Sequence, residues 1–280
     1  MASRSPFIRF LRLLSYLIPT DYLKTFFFLN FIYKPREFVY ALIHAFYRFE
    51  FIYTVLKQVR CDYSGRFSIL EFGTASGYSF AKILYATKYL KMDSIVTVHA
   101  FDTFEGLPAP KDEKDKDHID GDEWGEGEFV GNYEKIYDYV SSRHKNFLMH
   151  KGLFEKTLSD DLVCRLKKEL PIVIFFDCDY YSSAESIFRK IIDIIPNGCV
   201  LYFDDIDFNY RSRFTGESRV IHEINEGKFG KDIELIPDFD LSKTSQRIYR
   251  FFRLNNTIQY NRNYITKHGV REVTNGSPLP

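Results

Sequence analysis

Two groups of aspartates close apolar runs that read as neighbouring strands. Phe176-Asp177-Cys178-Asp179 ends one run, and Phe203-Asp204-Asp205 ends the next. The interval between them holds one helix and one strand. That places both ends side by side on the carboxyl edge of a parallel sheet, where α/β folds bind ligands. Three or four carboxylates converging there repel one another, raise their own pKa values and destabilise the fold unless a cation joins them. A hard divalent ion such as Mg²⁺ takes oxygen ligands and keeps positions open for water or substrate. Beside a hydroxyl, such an ion lowers the hydroxyl pKa and orients its oxygen, and a spare carboxylate can take the proton. A single aspartate in such a place more often caps a helix, and Asp179 directly precedes a helical stretch. A DxD and a DD at two adjacent strand ends favour a metal site.

A second constellation lies upstream. The run Phe67–Phe72 leads into Glu71-Phe72-Gly73-Thr74-Ala75-Ser76-Gly77, followed at once by a helical pattern. Gly73 permits a tight turn after a strand, and Gly77 lets the next helix approach a ligand. Free N–H groups at that helix start can meet a carboxylate or phosphate. The next strand closes at Asp102, in Ala100-Phe101-Asp102-Thr103-Phe104, and an acidic residue there is placed for ribose hydroxyls. Glycine loop and carboxylate together imply an adenosine-bearing cofactor. The spacing is not the G-x-G-x-x-G of nicotinamide enzymes. An acidic residue at Glu71 is the arrangement of sheets that bind S-adenosylmethionine (SAM).

The elements that must position these residues follow from the pattern. Apolar runs at 67–72, 95–101, 146–150, 172–177, 198–205, 232–236 and 247–252 alternate with helical stretches at 78–91, 131–143, 155–169, 182–195 and 217–228. This predicts a Rossmann-like, doubly wound α/β fold around a mostly parallel seven-stranded sheet, its last two strands antiparallel at one edge. The catalytic-type domain spans 61–254. Residues 1–60, rich in Phe, Tyr and Leu and punctuated by Pro6, Pro19 and Pro35, read as a helical extension for oligomerisation or for covering substrate. Residues 255–280 read as an irregular tail. The charged segment 111–128, which holds Trp124, reads as a lid because it follows a strand end.

Lys+Arg and Asp+Glu both count 38, so the chain is neutral, and no basic stripe marks a nucleic-acid partner. Arg9 and Arg12 interrupt the apolar run 7–18, and no cleavage site follows. The run at 26–33 is too short for a span of about 20 residues. The expectation is a cytoplasmic protein; membrane-surface contact through the basic, aromatic N-terminal segment is the minor reading. Cys61, Cys164, Cys178 and Cys199 form no CxxC and read as buried, reduced thiols.

These residues resemble a known family. Phe101-Asp102-Thr103-Phe104-Glu105-Gly106-Leu107-Pro108 is similar to the FDSFEGLP signature of the macrocin O-methyltransferase family. Lys151-Gly152-Leu153-Phe154-Glu155-Lys156-Thr157-Leu158 resembles its KGWFEDTLP segment, and Asp177-Cys178-Asp179-Tyr180-Tyr181-Ser182-Ser183 its DGDLYEST segment. The DD pair follows at a similar interval, and the matches run in order from about residue 69 to 205. Leu153 stands where the family has Trp, Thr103 where it has Ser, and Asn197-Gly198-Cys199 where it has a double glycine. The resemblance implies a SAM-dependent, divalent-metal-dependent O-methyltransferase acting on a small-molecule hydroxyl, often on a sugar.

By the same resemblance, Glu71, Gly73, Thr74, Gly77 and Ser79 hold the methionine end of SAM. Asp102, with Thr103 beside it, holds the ribose, and Gly152 and Phe154 border the adenine. Asp177, Asp204 and Asp205 bind the metal; Asp179 is the candidate base, with Asp177 able to exchange roles with it. Family members often assemble through N-terminal additions, which implies a homo-oligomer. The expected step is in-line methyl transfer, its rate set by alignment and by charge stabilisation at the metal. Tyr180, Tyr181 and Trp124 are candidates to stack on a sugar face. A catechol acceptor and a non-catalytic SAM-binding scaffold are the alternatives; a nucleotide-sugar enzyme with a DxD site fits the glycine loop and Asp102 less well.

Overall fold

The computed structural model describes residues 28–33, 35, 50–119, 125–242, 247–266 and 269–271. The chain divides into two compact units, residues 1–50 and 51–280. In the first, the described element is the π-helical turn Phe28–Tyr33, with Phe31 and Ile32 exposed. The other helices expected before residue 50 lie outside the described residues. Among the described residues, no helix is long and apolar enough to cross a membrane.

The second unit is built on a seven-stranded sheet: β1 (Phe67–Phe72), β2 (Val96–Asp102), β3 (Phe147–Lys151), β4 (Leu170–Phe176), β5 (Val200–Phe203), β6 (Ile233–Pro237) and β7 (Ile248–Arg253). The strand order is β3-β2-β1-β4-β5-β7-β6. The first five strands are parallel, and β7 runs antiparallel to both β5 and β6. This is the expected Rossmann-like architecture, including its antiparallel edge. Every residue of β1 and β5 is buried, as suits strands covered on both faces.

The helices are α1 (Glu50–Asp62), α2 (Tyr78–Tyr89), α3 (Tyr133–Ser141), α4 (Phe154–Thr157), α5 (Asp160–Lys168), α6 (Tyr181–Ile191) and α7 (Gly216–Asn225). In α6 the buried Tyr181, Ala184, Ile187, Phe188 and Ile191 recur at helical spacing and form one apolar face. The single helix expected over 155–169 is two. Ser159 breaks it and caps α5 by accepting the N–H of Leu162, and acids in the first turn and bases in the last complement the α5 dipole. Helix α1 packs on the sheet of the second unit, Phe51 stacking on Tyr202 with centroids 5.3 Å apart. The segment expected as an irregular tail contains short antiparallel pairings, Asn261–Arg262 with Tyr63–Ser64 and Tyr264–Thr266 with Gly269–Arg271, and the hydroxyl of Tyr260 donates to the carbonyl of Pro171 at 2.6 Å. Among the cysteines, Cys178 and Cys199 are buried as expected, but Cys61 and Cys164 are exposed, because both lie on outward faces of α1 and α5.

The sheet ends in a row of aromatic rings. Phe72 pairs in register with Phe101 and with Phe176, and Phe176 with Phe203. Phe72 stacks on Phe101 at 4.6 Å and Phe176 on Phe203 at 4.8 Å, while Phe72 and Phe176 meet tilted at 6.0 Å; all four rings are fully buried. Such pairs contribute roughly 0.5–1.5 kcal/mol each beyond their area burial. The pleat turns each following residue to the opposite side. Those residues are Gly73, Asp102, Asp177 and Asp204.

Candidate active site

Backbone bonds carry the sheet one rung past the aromatic row. Gly73 N–H donates to Phe101 O (3.0 Å), Asp177 N–H to Phe72 O (2.9 Å), Asp204 N–H to Phe176 O (2.9 Å), and Gly152 N–H to Asp102 O (2.9 Å). The sequence-predicted residues of the glycine loop, the second strand end, the segment after β3 and the two acid pairs therefore share one edge.

Gly73 has φ +94°, and a Cβ there would lie 1.6 Å from the carbonyl oxygen of Asp177. Gly77 caps α2 at φ +75°, where a Cβ would meet Ile136 at 2.7 Å. Both glycines are required by packing of the chain itself, in addition to any approach of a ligand. Asp102 accepts the N–H groups of Ala75 (2.8 Å) and Phe104, fastening the glycine loop to the end of β2. A carboxylate keeps further lone pairs for a hydroxyl donor. Thr103 turns its hydroxyl into its own loop, donating to Gly106 O at 2.9 Å. Phe154 lies edge-on to Phe72 at 5.4 Å.

Glu71 is buried and accepts the hydroxyl of Thr74 at 3.0 Å through Oε2. Burial pushes its carboxyl up to about 7; the Ser79 and Thr74 hydroxyls draw it down, and Asp102 adds repulsion. Its Oε1 has no hydrogen-bond partner among the described residues. A buried acceptor without a donor is costly in a folded chain and fits a loop that receives a cationic or amine-bearing ligand.

At the neighbouring strand ends, Asp177, Asp204 and Asp205 are half-buried, each with a ligand oxygen within 4.8 Å of the others. Asp204 is oriented by two donors on one oxygen: Tyr202 OH at 2.6 Å and Arg247 Nη1 at 2.8 Å. Arg247 also reaches Asp207 at 3.0 Å. Asp205 accepts the backbone N–H of Asp179 at 3.3 Å. Asp179 has φ +60°, and the N–H of Tyr180 donates to Cys178 O at 2.6 Å across it, forming a tight turn. Strained backbone of this kind concentrates at functional sites. Asp179 does not cap α6. That place is taken by the buried Asp115, which accepts the N–H of Ser182 at 2.8 Å.

Burial, then Asp177 and Asp204, push the Asp179 carboxyl up to about 8. Burial and neighbouring acids likewise raise Asp205 and Glu217. Five carboxylates thus converge, and among the described residues Arg247 is set against them, directed at Asp204. An all-oxygen donor set with this excess of negative charge fits a hard divalent cation.

The segment predicted as a lid is anchored at both ends. Leu107 N–H donates to Glu128 O and Gly127 N–H to Leu107 O, each at 2.9 Å, closing its base. Its first half is tied to the α6 start by Asp115, to Gly216 through Lys114 O, and to Asn209 through Lys116 and His118. Trp124 lies outside the described residues. Of the predicted aromatic contacts, Tyr180 is fully buried, and Tyr181 bonds Glu223 at 2.9 Å. These are framework positions.

Sequence reasoning did not find Glu217, Arg247, Tyr202 or Asp115. Each works through a partner distant in the chain, except Tyr202, whose position two residues before Asp204 was a usable signal. Glu217 in the first turn of a helix is indistinguishable in sequence from an acid that complements the helix dipole.

Comparison with known proteins bears on this edge. Residues 70–206 match the family model of a methyltransferase domain. The matched stretch begins in β1 and ends just past Asp205, so it contains the glycine loop and both acid pairs. Among solved structures, the calicheamicin methyltransferase CalS11 is similar with TM-score 0.54 and 16 % identity, over 91 % of this chain and 95 % of that one. The O-methyltransferase NovP is similar with TM-score 0.49 and 17 % identity, over 74 % of this chain and 80 % of that one. No curated protein matches the sequence.

Proposed function

We propose that this chain is a SAM-dependent O-methyltransferase whose acceptor is a hydroxyl of a small molecule, a sugar or glycosylated metabolite, and whose turnover requires a divalent ion, Mg²⁺. The observation that carries the reading is the shared edge: a glycine loop with an open buried carboxylate oxygen at Glu71 follows β1, and the acid cluster follows the next two strands, Asp177 after β4 and Asp204 and Asp205 after β5. The methyltransferase-domain match over the same residues supports it, as does the order of family-like motifs from Phe101 to Asp205.

When bound, SAM supplies an electrophilic methyl group, and the divalent ion lowers the pKa of an adjacent hydroxyl and aligns it. In this reading Glu71, Thr74 and Ser79 face the methionine end, with Gly73 and Gly77 shaping the turn. Asp102 meets the ribose hydroxyls, and Gly152 and Phe154 border the adenine. Asp177, Asp204 and Asp205 hold the ion. Asp179 would take the proton of the acceptor hydroxyl, leaving its oxygen to receive the methyl group that SAM would supply. Without an ion, burial, Asp177 and Asp204 raise the Asp179 carboxyl to about 8; a divalent ion at the neighbouring aspartates would favour its ionised form, the form able to accept a proton.

The test is calorimetric titration with S-adenosylhomocysteine, in Mg²⁺ and in EDTA, followed by turnover on sugar diols and on catechols with the wild type and Asp204→Ala. The reading expects S-adenosylhomocysteine to bind both proteins, and only the wild type to methylate, in Mg²⁺ and on the sugars. Turnover on catechols alone would replace the acceptor class. Undiminished activity of Asp204→Ala would remove the metal mechanism, and no binding of S-adenosylhomocysteine would remove the methyltransferase reading.

A further inference from the structure

Glu217 stands behind the acid cluster. It is the second residue of α7, and no part of it reaches solvent. Its Oε1 accepts the backbone N–H of Cys178 at 3.5 Å and faces the Cys178 thiol at 3.7 Å. Its Oε2 accepts the backbone N–H of Asp205 at 3.2 Å. Cys178 is the residue between Asp177 and Asp179, and Asp205 directly follows Asp204. One carboxylate therefore joins the two loops that carry all four aspartates.

The sheet no longer does this at that depth. The last rung between β4 and β5 is the bond from Asp204 N–H to Phe176 O, and beyond it the two loops leave the sheet. From there, the Asp179–Asp205 contact and the Glu217 carboxylate span the gap. Glu217 itself has little freedom. Gly216 has φ +58°, and a Cβ there would lie 2.8 Å from the Phe208 ring. The N–H of Gly216 donates to Lys114 O at 2.9 Å, and the hydroxyl of Ser218 to Ile206 O at 2.8 Å. The start of α7 is thus pinned on both sides of Glu217.

A buried carboxylate among like charges is an expensive way to accept two N–H bonds. Its use here is geometric, because no neutral side chain of this length accepts from two separate backbone donors with two equivalent oxygens. We infer that Glu217 is a positioning residue that sets the separation of the Asp177–Asp179 and Asp204–Asp205 loops, and through it the affinity of the acid cluster for its divalent ion. The inference rests on the reading of that cluster as an ion site.

The experiment is titration of the full-length protein with Mn²⁺ followed by electron paramagnetic resonance, on wild type, Glu217→Gln, Glu217→Ala and Asn225→Ala. Asn225 holds the far end of α7 to the backbone of Leu235, at 2.7 and 3.2 Å. Its loss loosens the same helix without touching the acid loops. Glu217→Gln keeps the side-chain volume and one acceptor, and carries the measurement should the alanine variant not fold. The expected result is Mn²⁺ affinity weakened about 10–100-fold in the Glu217 variants, the range for residues that orient ligands from behind, with S-adenosylhomocysteine affinity unchanged. Asn225→Ala should lower the melting temperature and leave Mn²⁺ affinity intact. Wild-type Mn²⁺ affinity in folded Glu217→Gln, or an equal loss in Asn225→Ala, overturns the inference. Absence of Mn²⁺ binding by the wild type overturns the ion-site reading beneath it.

Discussion

The backbone N–H of Asp179 donates to the carboxylate of Asp205 at 3.3 Å, so the loop that leaves β4 is fastened to the acid that follows β5. The bond holds Asp179 in a left-handed turn at φ +60°, a conformation that costs an L-residue about 1 kcal/mol. Burial and its acidic neighbours add to the cost by raising its pKa to about 8. Stability is therefore given up at the residue assigned the proton. Asp179→Gly is expected to relieve both costs: its denaturation midpoint should rise while methyl transfer falls roughly 10²–10⁴-fold, the range for loss of a general base. S-adenosylhomocysteine binding should persist. A variant that is both less stable and still active would show that Asp179 is a framework residue.

Gly73 and Asp177 are coupled through space. A methyl group at residue 73 would sit 1.6 Å from the Asp177 carbonyl oxygen, at a φ of +94° that side chains avoid. Gly73→Ala must push apart the glycine loop and the first acid loop together. Its expected cost is at least about 2 kcal/mol from backbone strain and overpacking, read as a lowered urea midpoint. In whatever folded fraction remains, S-adenosylhomocysteine and Mn²⁺ binding should both be weakened. Weakening of the first alone would mean that the two loops move independently.

The carboxyl edge was legible in the sequence because each of Phe72, Phe101, Phe176 and Phe203 closes an apolar run and is followed by a glycine or an aspartate. Strand period and chemical residue type fall on the same positions there. The antiparallel edge was legible from two closely spaced runs near the end. The break between α4 and α5 was less so, because Ser159 competes with an otherwise continuous helical pattern and wins only by capping Leu162. Apart from Tyr202, the supports behind the site were not legible. Arg247 reaches Asp204 across 43 positions, Glu217 reaches Cys178 across 39, and Asp115 reaches Ser182 across 67. A charged residue in a loop or first helical turn has many ordinary uses, and only tertiary contact selects one.

Asp115 shows what that selection does. It lies in a segment crowded with charges, yet it is fully buried, accepting the N–H groups of Lys111 at 2.9 Å and of Ser182 at 2.8 Å. It caps α6 from another part of the chain and fixes the charged segment beside the acid cluster. Asp115→Ala should cost about 1–2 kcal/mol, the upper range for a helix cap, measured by chemical denaturation. It should raise the KM for the acceptor more than it alters S-adenosylhomocysteine affinity, because the glycine loop is held by Asp102 instead. An unchanged acceptor KM would detach residues 111–119 from acceptor binding.

Acid stability is expected to depend on a pair of histidines remote from the acid cluster. His99 is fully buried in β2, and its Nδ1 lies 3.0 Å from Nε2 of His150 on β3, the ring planes being parallel within 1°. Two neutral rings satisfy this contact, one donating and one accepting. Burial lowers both pKa values. His150 falls to about 4, with His99 and Arg165 adding to the effect; for His99, the approach of Glu169 partly opposes it. With folded values below the unfolded value of about 6.5, the unfolded chain binds more protons between roughly pH 4 and 6.5. Stability from this pair is therefore present at neutral pH and lost as pH falls through that window. The acid cluster has the opposite sign in metal-free protein, since its raised carboxyls favour the folded state when protonated, so the effect must be read as a difference. Urea unfolding of wild type and of His99→Leu/His150→Leu at pH 5 and pH 7, both in EDTA, should show the wild type gaining more on going to pH 7. Identical pH dependence in the two proteins would mean that the rings keep ordinary proton affinity despite their burial.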